Sequence, residues 1–359
     1  MIKGKKVYLI ILAAFAFIAY MLLAAQPIPQ EIILTNNWLK RLDTTAAEET
    51  APAGELIPFT LGNRFGYAAE DGTLILNRIR EKTVSLSTGY WAEYDPVPEE
   101  IVIHDPRSGA DISLEDPWGY PFFLKRRIFI ISKDQTTLGE LDKTGEILWK
   151  YDYEAPLTCI DATDQFVLTG TLDGMIDLLD SRGNALFPSH APGASAIPVI
   201  LGCRISSDGS KLAIVSGIDK QRFLFLEWYG ENDYRVTHHE FLKGEGFRRE
   251  VRMAFIDNDS RVVFEQEEGL GIYDVRSRST ATLALPGKLE ALDEDGRDGL
   301  FFFVTGEKTG EKRLIALKLP DTEILNVPFK SETSFLTRQD KKLFIGGGLT
   351  LAAFMLDKK

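Results

Sequence analysis

The sequence is poor in the residues from which metal centres and disulfide scaffolds are built. It contains 4 histidines and 2 cysteines among 359 residues, which excludes a disulfide framework and a four-thiolate zinc site. Cys159 and Cys203 both lie in apolar, strand-like stretches. We expect two buried free thiols, and the alternative is one disulfide between neighbouring structural units in an oxidising compartment.

Recognisable catalytic motifs are also missing. The chain has no nucleophile elbow, phosphate loop, dinucleotide fingerprint or His-Glu-x-x-His sequence. The one histidine cluster, His238-His239-Glu240, falls in a predicted strand, where adjacent side chains point to opposite faces and do not converge on a metal. The acidic stretch Asp293 to Asp298 is expected to be a solvated loop, with weak calcium binding as the less favoured interpretation. We therefore predict no catalytic, cofactor-binding or metal-binding residues.

Clustered positive charge is scarce as well. The formal net charge is −12, and binding to a nucleic-acid backbone requires a basic face. Two short basic runs, Lys125-Arg126-Arg127 and Arg248-Arg249, are expected to be solvated strand ends or loops. The charge balance predicts no nucleic-acid partner.

One long apolar run stands at the N-terminus. Residues 7–25 contain 19 consecutive uncharged residues, which as a helix would measure about 28 Å, close to the hydrocarbon thickness of a bilayer. The lysines in residues 1–6 precede this run, and the positive-inside rule then leaves everything after Ala25 outside the cytoplasm. We predict a single-pass transmembrane anchor of a bacterial cytoplasmic membrane, with 1–6 in the cytoplasm. A cleaved signal peptide is the alternative.

The remaining chain divides into a spacer and one large domain. Residues 26–55 are rich in proline and polar residues and show no clear helical or strand period, so we interpret them as a spacer. Residues 56–359 contain no long amphipathic helical pattern. They consist of short apolar runs separated by Gly, Asp, Asn and Ser, as in an all-β sandwich, barrel or propeller.

Internal repetition favours the propeller. One strand type begins at Ile128, Val167, Leu212, Val262, Phe301 and Leu343, at spacings of 39, 45, 50, 39 and 42 residues. A period near 43 suits a blade of four short strands with tight turns. We predict seven four-stranded blades. The alternative is eight, because residues 56–119 can hold either one irregular blade or two.

The C-terminus ends in the middle of a repeat. Earlier units continue with a further strand after an acidic turn, such as Glu146 to Tyr151, but the last unit stops at Lys359. A blade without its outer strand would expose an unpaired edge. We expect an N-terminal segment, either Ile32 to Thr35 or Leu56 to Phe59, to supply that strand and to close the ring.

Two stretches resemble known propeller repeats. Residues 139–151, with Asp142, Thr144-Gly145 and Trp149, look like the PQQ-like repeat, and residues 206–213 are similar to the Ser-x-Asp-Gly-x-x-Leu-Ala stretch of bacterial WD-repeat propellers. The resemblance implies a propeller and contacts with other proteins. It does not imply a bound quinone, because quinoprotein dehydrogenases are much longer and carry a vicinal cysteine pair that this sequence lacks.

Aromatic pairs are the candidate contact residues. Aromatic side chains often anchor protein interfaces, and they serve equally well in packing between blades. The candidates are Tyr90, Trp91, Trp118, Tyr120, Trp228 and Tyr229. The sequence thus predicts a membrane-anchored, exported propeller that binds or scaffolds another envelope protein, on the periplasmic side. The alternative is an enzyme or small-molecule sensor whose titratable groups converge at the mouth of the propeller channel.

Overall fold

The computed structural model describes residues 13–15, 17, 19, 20, 32–43 and 54–358, except 193, 194, 231, 232, 245, 268 and 308. From Ile32 onward the described chain forms 31 β-strands, which pair into eight antiparallel sheets. Inner strands of successive sheets contact each other around a central channel. The all-β propeller predicted from the repeat is therefore present.

The blades follow each other in chain order. The first four blades comprise β2 (Leu56–Leu61), β3 (Arg64–Ala69) and β4 (Leu74–Ile79); β5 (Thr83–Leu86), β6 (Trp91–Tyr94), β7 (Glu100–His104) and β8 (Asp111–Glu115); β9 (Gly119–Leu124), β10 (Arg127–Ser132), β11 (Thr137–Leu141) and β12 (Ile147–Asp152); and β13 (Leu157–Ala162), β14 (Phe166–Thr171), β15 (Met175–Asp180) and β16 (Ala185–His190).

The second half of the ring has the same plan. Its blades comprise β17 (Ile200–Ile205), β18 (Lys211–Ser216), β19 (Arg222–Trp228) and β20 (Tyr234–Phe241); β21 (Met253–Ile256), β22 (Arg261–Gln266), β23 (Gly269–Asp274) and β24 (Ser279–Leu283); β25 (Lys288–Leu292), β26 (Leu300–Gly306), β27 (Glu311–Lys318) and β28 (Thr322–Lys330); and β29 (Ser334–Gln339), β30 (Lys342–Gly347) and β31 (Thr350–Lys358), which β1 (Ile32–Arg41) completes.

The blade count is eight, so the prediction of seven was wrong. Residues 56–119 hold two blades in fewer residues than two full repeats would need. Blade 1 is a sheet of only three strands, and the first two strands of blade 2 have four residues each. Asp105 lies in the turn after β7, whereas Asn77 lies within β4 and is buried there.

The odd strand number of blade 1 reverses the direction of its inner strand. Glu55, just before β2, lines a groove together with Lys125, which follows the inner strand β9. At the other end of β2, Gly62 lies against Thr333, which precedes the inner strand β29. β2 therefore begins at the end of the channel where the other inner strands finish.

The N-terminal strand closes the ring. β1 pairs antiparallel with the C-terminal strand β31, from Ile32 opposite Lys358 to Arg41 opposite Thr350. This confirms the predicted closure through residues 32–35, and the alternative segment 56–59 lies in β2 instead. The closing strand lies within the stretch that we had interpreted as a spacer.

Trp38 of β1 extends the closure to blade 1. Its indole nitrogen donates a hydrogen bond to the Glu70 carbonyl at 2.9 Å, and its ring lies against the turn at Gly72. That turn has a φ of +87°, and a Cβ atom there would meet the ring at 2.7 Å. Glycine at position 72 thus allows both the turn and the close approach of the tryptophan.

The core consists of separate apolar layers between neighbouring blades. One layer joins blades 4 and 5 through residues such as Leu168, Ile200 and Leu224. Another joins blades 6 and 7 through Val263 and Phe301. Because both faces of each blade are covered by neighbouring blades, the second strands read as nearly continuous apolar runs. β26, for example, is buried along its full length.

The described residues include no helix that is both long and apolar enough to cross a bilayer. The transmembrane helix predicted over residues 7–25 is therefore not supported. Most of residues 7–25 lie outside the described part of the chain.

Candidate functional site: the first-turn face and the channel mouth

One face of the ring carries the turns between the first and second strands of blades 2 to 8, and we call it the first-turn face. Because strands within a blade are antiparallel, the turns between third and fourth strands reach the same face. A cavity of about 630 Å³ opens here at the end of the channel. Its lining comes from seven of the eight blades and includes Pro58, Lys125, Asp161, Arg204, Phe255, Glu294 and Phe335.

Two oppositely charged residues from neighbouring inner strands line this cavity. Each oxygen of the Asp161 carboxylate accepts a backbone N–H at 2.9 Å, one from Ala162 and one from Ile205. Burial raises the pKa of Asp161, and the nearby Arg204 guanidinium opposes this. The hydrogen bond that anchors Arg204 runs to the carbonyl of Cys203 at 2.8 Å.

Other acidic groups at the mouth are held by partners. Asp257 forms an ion pair with Arg261, and it accepts the Gly299 N–H at 3.2 Å. Asp259 accepts a hydrogen bond from the Ser207 backbone N–H at 2.8 Å. These carboxylates therefore connect turns of neighbouring blades and order the rim of the cavity.

The acidic loop 293–298 also connects neighbouring blades. Asp293 is fully buried, and its nearest cation is Arg338 of the next blade at 3.8 Å. Burial raises the pKa of Asp293 to about 7, and Arg338 opposes the rise. Arg297 pairs with Asp295 and with Asp340 of blade 8. The loop ties blades 7 and 8 together.

A second groove of about 550 Å³ lies on the same face beside the mouth. Lys125 lines both the groove and the mouth cavity. In the wall of the groove, Arg127 makes a bidentate ion pair with Glu140, at 2.7 and 2.6 Å, and donates to the Thr163 carbonyl of blade 4 at 2.7 Å. One member of the predicted basic run is therefore a fixed link between blades.

The candidate contact aromatics divide into packed and exposed pairs. Tyr90 and Trp91 are buried in the core between blades. Trp118 is half-buried with the Lys150 ammonium 4.1 Å from its ring centre. Tyr120, also half-buried, donates a hydrogen bond to the Pro96 carbonyl and stacks on Tyr94.

Only the third pair of these aromatics is open to solvent. Trp228 and Tyr229 are 53% and 56% exposed. They occupy the turn between the third and fourth strands of blade 5, where the Trp228 N–H bonds the Ser210 carbonyl of the first turn. This turn places both side chains on the first-turn face, the same face as the channel mouth.

The two cysteines and His238 are part of the packing. Cys159 and Cys203 are buried free thiols in the layer between blades 4 and 5. His238 stacks on Tyr273 of blade 6, with ring centres 4.6 Å apart. Among the residues that the structure describes, no three His, Cys, Asp or Glu side chains converge in a way that could hold a metal ion.

Comparison with known proteins agrees with this architecture. A family described as beta-propeller protein matches residues 1–358. The chain belongs to this beta-propeller family. An uncharacterized protein of Treponema pallidum (strain Nichols) is 25% identical to this propeller over 360 residues, which cover 98% of this chain and 94% of the relative.

Solved structures with a similar fold come from distant proteins. BamB from Moraxella catarrhalis superposes with a TM-score of 0.59 at 15% identity, over 90% of this propeller and all of that chain. The Dos1 propeller gives a TM-score of 0.56 at 14% identity, over 90% and 95% of the two chains. At these identities the likeness concerns the fold alone. The comparisons support a beta-propeller and do not distinguish PQQ-like from WD-type repeats.

Sequence reasoning missed the residues at the channel mouth. Asp161 and Arg204 each stand alone in an apolar inner strand, 43 positions apart, and only the ring brings them together. A charged residue near the end of an inner strand was the available signal. The two residues are about one blade length apart.

Proposed function

We propose that this propeller is an exported protein-binding module of a bacterial cell envelope, and that the first-turn face is its docking face. The observation that carries the proposal is the exposed pair Trp228 and Tyr229 on the same face as the channel mouth. Large aromatic side chains that remain open to solvent are typical anchors of protein interfaces. A rigid ring holds them in place, so little ordering is required when a partner binds.

Export is supported by the N-terminal sequence. A lysine-rich start precedes the uncharged residues 7–25, which is the arrangement of an export signal. We propose that the propeller lies on the outer side of the cytoplasmic membrane. The partner is then another protein of the envelope.

Site-specific photocrosslinking in intact cells tests this proposal. A photoreactive amino acid at Trp228 should give a discrete crosslinked product containing another envelope protein. The matched control is Leu172, which is equally exposed at 50% but lies in a turn on the opposite face. Equal products from both positions, or none from Trp228, would contradict docking on the first-turn face.

A small-molecule sensor is the second candidate, and Asp161 with Arg204 favours it. These two charged groups converge in an open cavity, and burial perturbs the pKa of the carboxyl, as in many ligand sites. The protein purified under native conditions should then release a stoichiometric small molecule detectable by mass spectrometry. The Arg204→Gln variant should lack it. Ligand-free protein of normal stability would argue against a sensor.

A further inference from the structure

Three basic side chains in the groove beside the channel mouth have no acidic partner within ion-pair distance among the described residues. They are Arg107, Lys125 and Arg126. Other cations on this face, including Arg127, Arg261, Arg278 and Arg297, lie within 4.0 Å of a carboxylate. In a chain of net charge −12, these unpaired cations form a local positive site.

Arg107 supplies the clearest unmet bonding capacity. Its Nε atom is buried and has no hydrogen-bond partner among the residues that the structure describes. A buried donor without an acceptor costs free energy that a bound acceptor recovers. The side chain comes from the turn between the third and fourth strands of blade 2 and lines the groove together with the Lys125-Arg126 turn.

Lys125 occupies a backbone position that favours glycine. It is the first residue of the two-residue turn between β9 and β10, and its φ is +54°. Such hairpin turns usually have glycine at this position. Its carbonyl accepts hydrogen bonds from the Ser87 and Thr88 hydroxyls at 2.9 and 3.4 Å, so the turn itself does not depend on the lysine side chain. A strained residue with a charged, exposed side chain suggests a role for that side chain.

We propose that this groove binds an acidic extended segment of the partner protein, with Arg107, Lys125 and Arg126 as the contacts to its carboxylates. The proposal rests on the proposed function and names the chemistry of the partner. Glu55 and Asp164 also line the groove and repel carboxylates close to them. The acidic side chains of the segment therefore contact the groove at intervals rather than continuously. Because Lys125 is shared, the segment leads from the groove to the channel mouth.

The shape of the groove favours a polypeptide over a lipid surface. A concave groove of about 550 Å³ encloses an extended chain, whereas an anionic bilayer needs a broad basic face. The net charge of −12 also repels such a bilayer over the whole molecule. A short acidic segment meets only the local positive site.

Binding of a fluorescent hexaglutamate peptide to the full-length protein tests the inference. Saturable binding is expected, weakened by added salt because the contacts are ionic, and hexaglutamine should not bind. The Lys125→Gly variant should weaken hexaglutamate binding by roughly three- to tenfold. Its melting temperature should stay the same or rise, because glycine adopts this φ without strain.

Arg278→Gly is the matched control. Arg278 has a φ of +53°, lies in a turn on the same face and is paired with Glu227 at 3.1 Å. It should leave hexaglutamate binding unchanged. Arg126→Gln keeps the turn intact and should weaken binding to a similar extent as Lys125→Gly.

Several outcomes would overturn this inference. They are an absence of saturable hexaglutamate binding, an equal loss in the Arg278→Gly variant, and binding to phosphatidylglycerol vesicles but not to the peptide. If crosslinking at Trp228 still captures an envelope protein in these cases, the proposed docking function stands and only the acidic segment is rejected.

Discussion

At the scale of single residues, the buried pair Asp293 and Arg338 ties the stability of the fold to pH. Asp293 is fully buried and Arg338 is 4% exposed. One carboxylate oxygen of Asp293 has no hydrogen-bond partner in the described part of the chain. Burial raises its pKa from 3.8 to about 7, because desolvation disfavours the charged carboxylate more than the arginine at 3.8 Å compensates. The folded protein therefore retains a proton that the unfolded chain has already released.

This pair gives a prediction about pH dependence. Between pH 4 and 7 the folded state binds more protons at Asp293 than the unfolded state, so this group lowers the free energy of unfolding as pH rises. The Asp293→Asn variant cannot release that proton and keeps the Asp295 N–H bond at 3.1 Å. Between pH 4 and 7 its free energy of unfolding should fall less than that of the wild type. The difference should be about 1.4 kcal/mol per pH unit, or a few kcal/mol in total.

Urea denaturation at pH 4, 5.5 and 7 measures this difference. Asp340→Asn is the control, because the Asp340 side chain is 86% exposed and should leave the slope of the wild type unchanged. A wild-type slope in the Asp293→Asn variant would show that Asp293 titrates normally in the fold.

At the scale of strands, β1 closes the ring from the opposite end of the chain. It is separated from β31 by almost the whole chain, yet it supplies the outer strand of the last blade. Trp38 then reaches past this blade to contact Gly72 and Glu70 of blade 1. The closing strand is thus joined to blade 8 by its backbone and to blade 1 by the side chain of Trp38.

Removing the Trp38 side chain should weaken the closure. We expect Trp38→Ala to lower the free energy of unfolding by about 2–3 kcal/mol, below the 3–5 kcal/mol of a fully buried aromatic because Trp38 is only half-buried. Leu39→Ala in the same strand is the control. Leu39 is 58% exposed and should cost less than about 0.5 kcal/mol. Equal losses in chemical denaturation would contradict a special role of the tryptophan.

At the scale of the whole molecule, each blade is stabilised by its two neighbours. The apolar layers lie between blades, so no blade buries its faces alone. In an open array, units at the ends are less stable than those in the middle. Closing the ring removes the ends, and a weak link in one place should then destabilise distant blades.

The two thiols report on this coupling. Cys159 and Cys203 are 5% and 0% exposed in the layer between blades 4 and 5, and burial raises the pKa of the Cys203 thiol. Trp38→Ala, between blades 8 and 1, should accelerate thiol labelling by roughly 30- to 150-fold, the factor that corresponds to 2–3 kcal/mol. Leu39→Ala should not. An unchanged labelling rate in Trp38→Ala would mean that blades 4 and 5 open independently of the closure.

Sequence alone determined the repeat, the all-β class and the closure by an N-terminal strand, because these depend on local patterns of period two, on turn residues and on a chain that ends one strand early. It could not determine the blade count, since a three-stranded blade is decided by whether neighbouring blades cover its faces and not by its own residues. Nor could it find the channel mouth or the unpaired cations near it. Asp161 and Arg204, like Arg107 and Lys125, come from different blades, and only the packing of blades around one axis sets which charges meet and which stay without a partner.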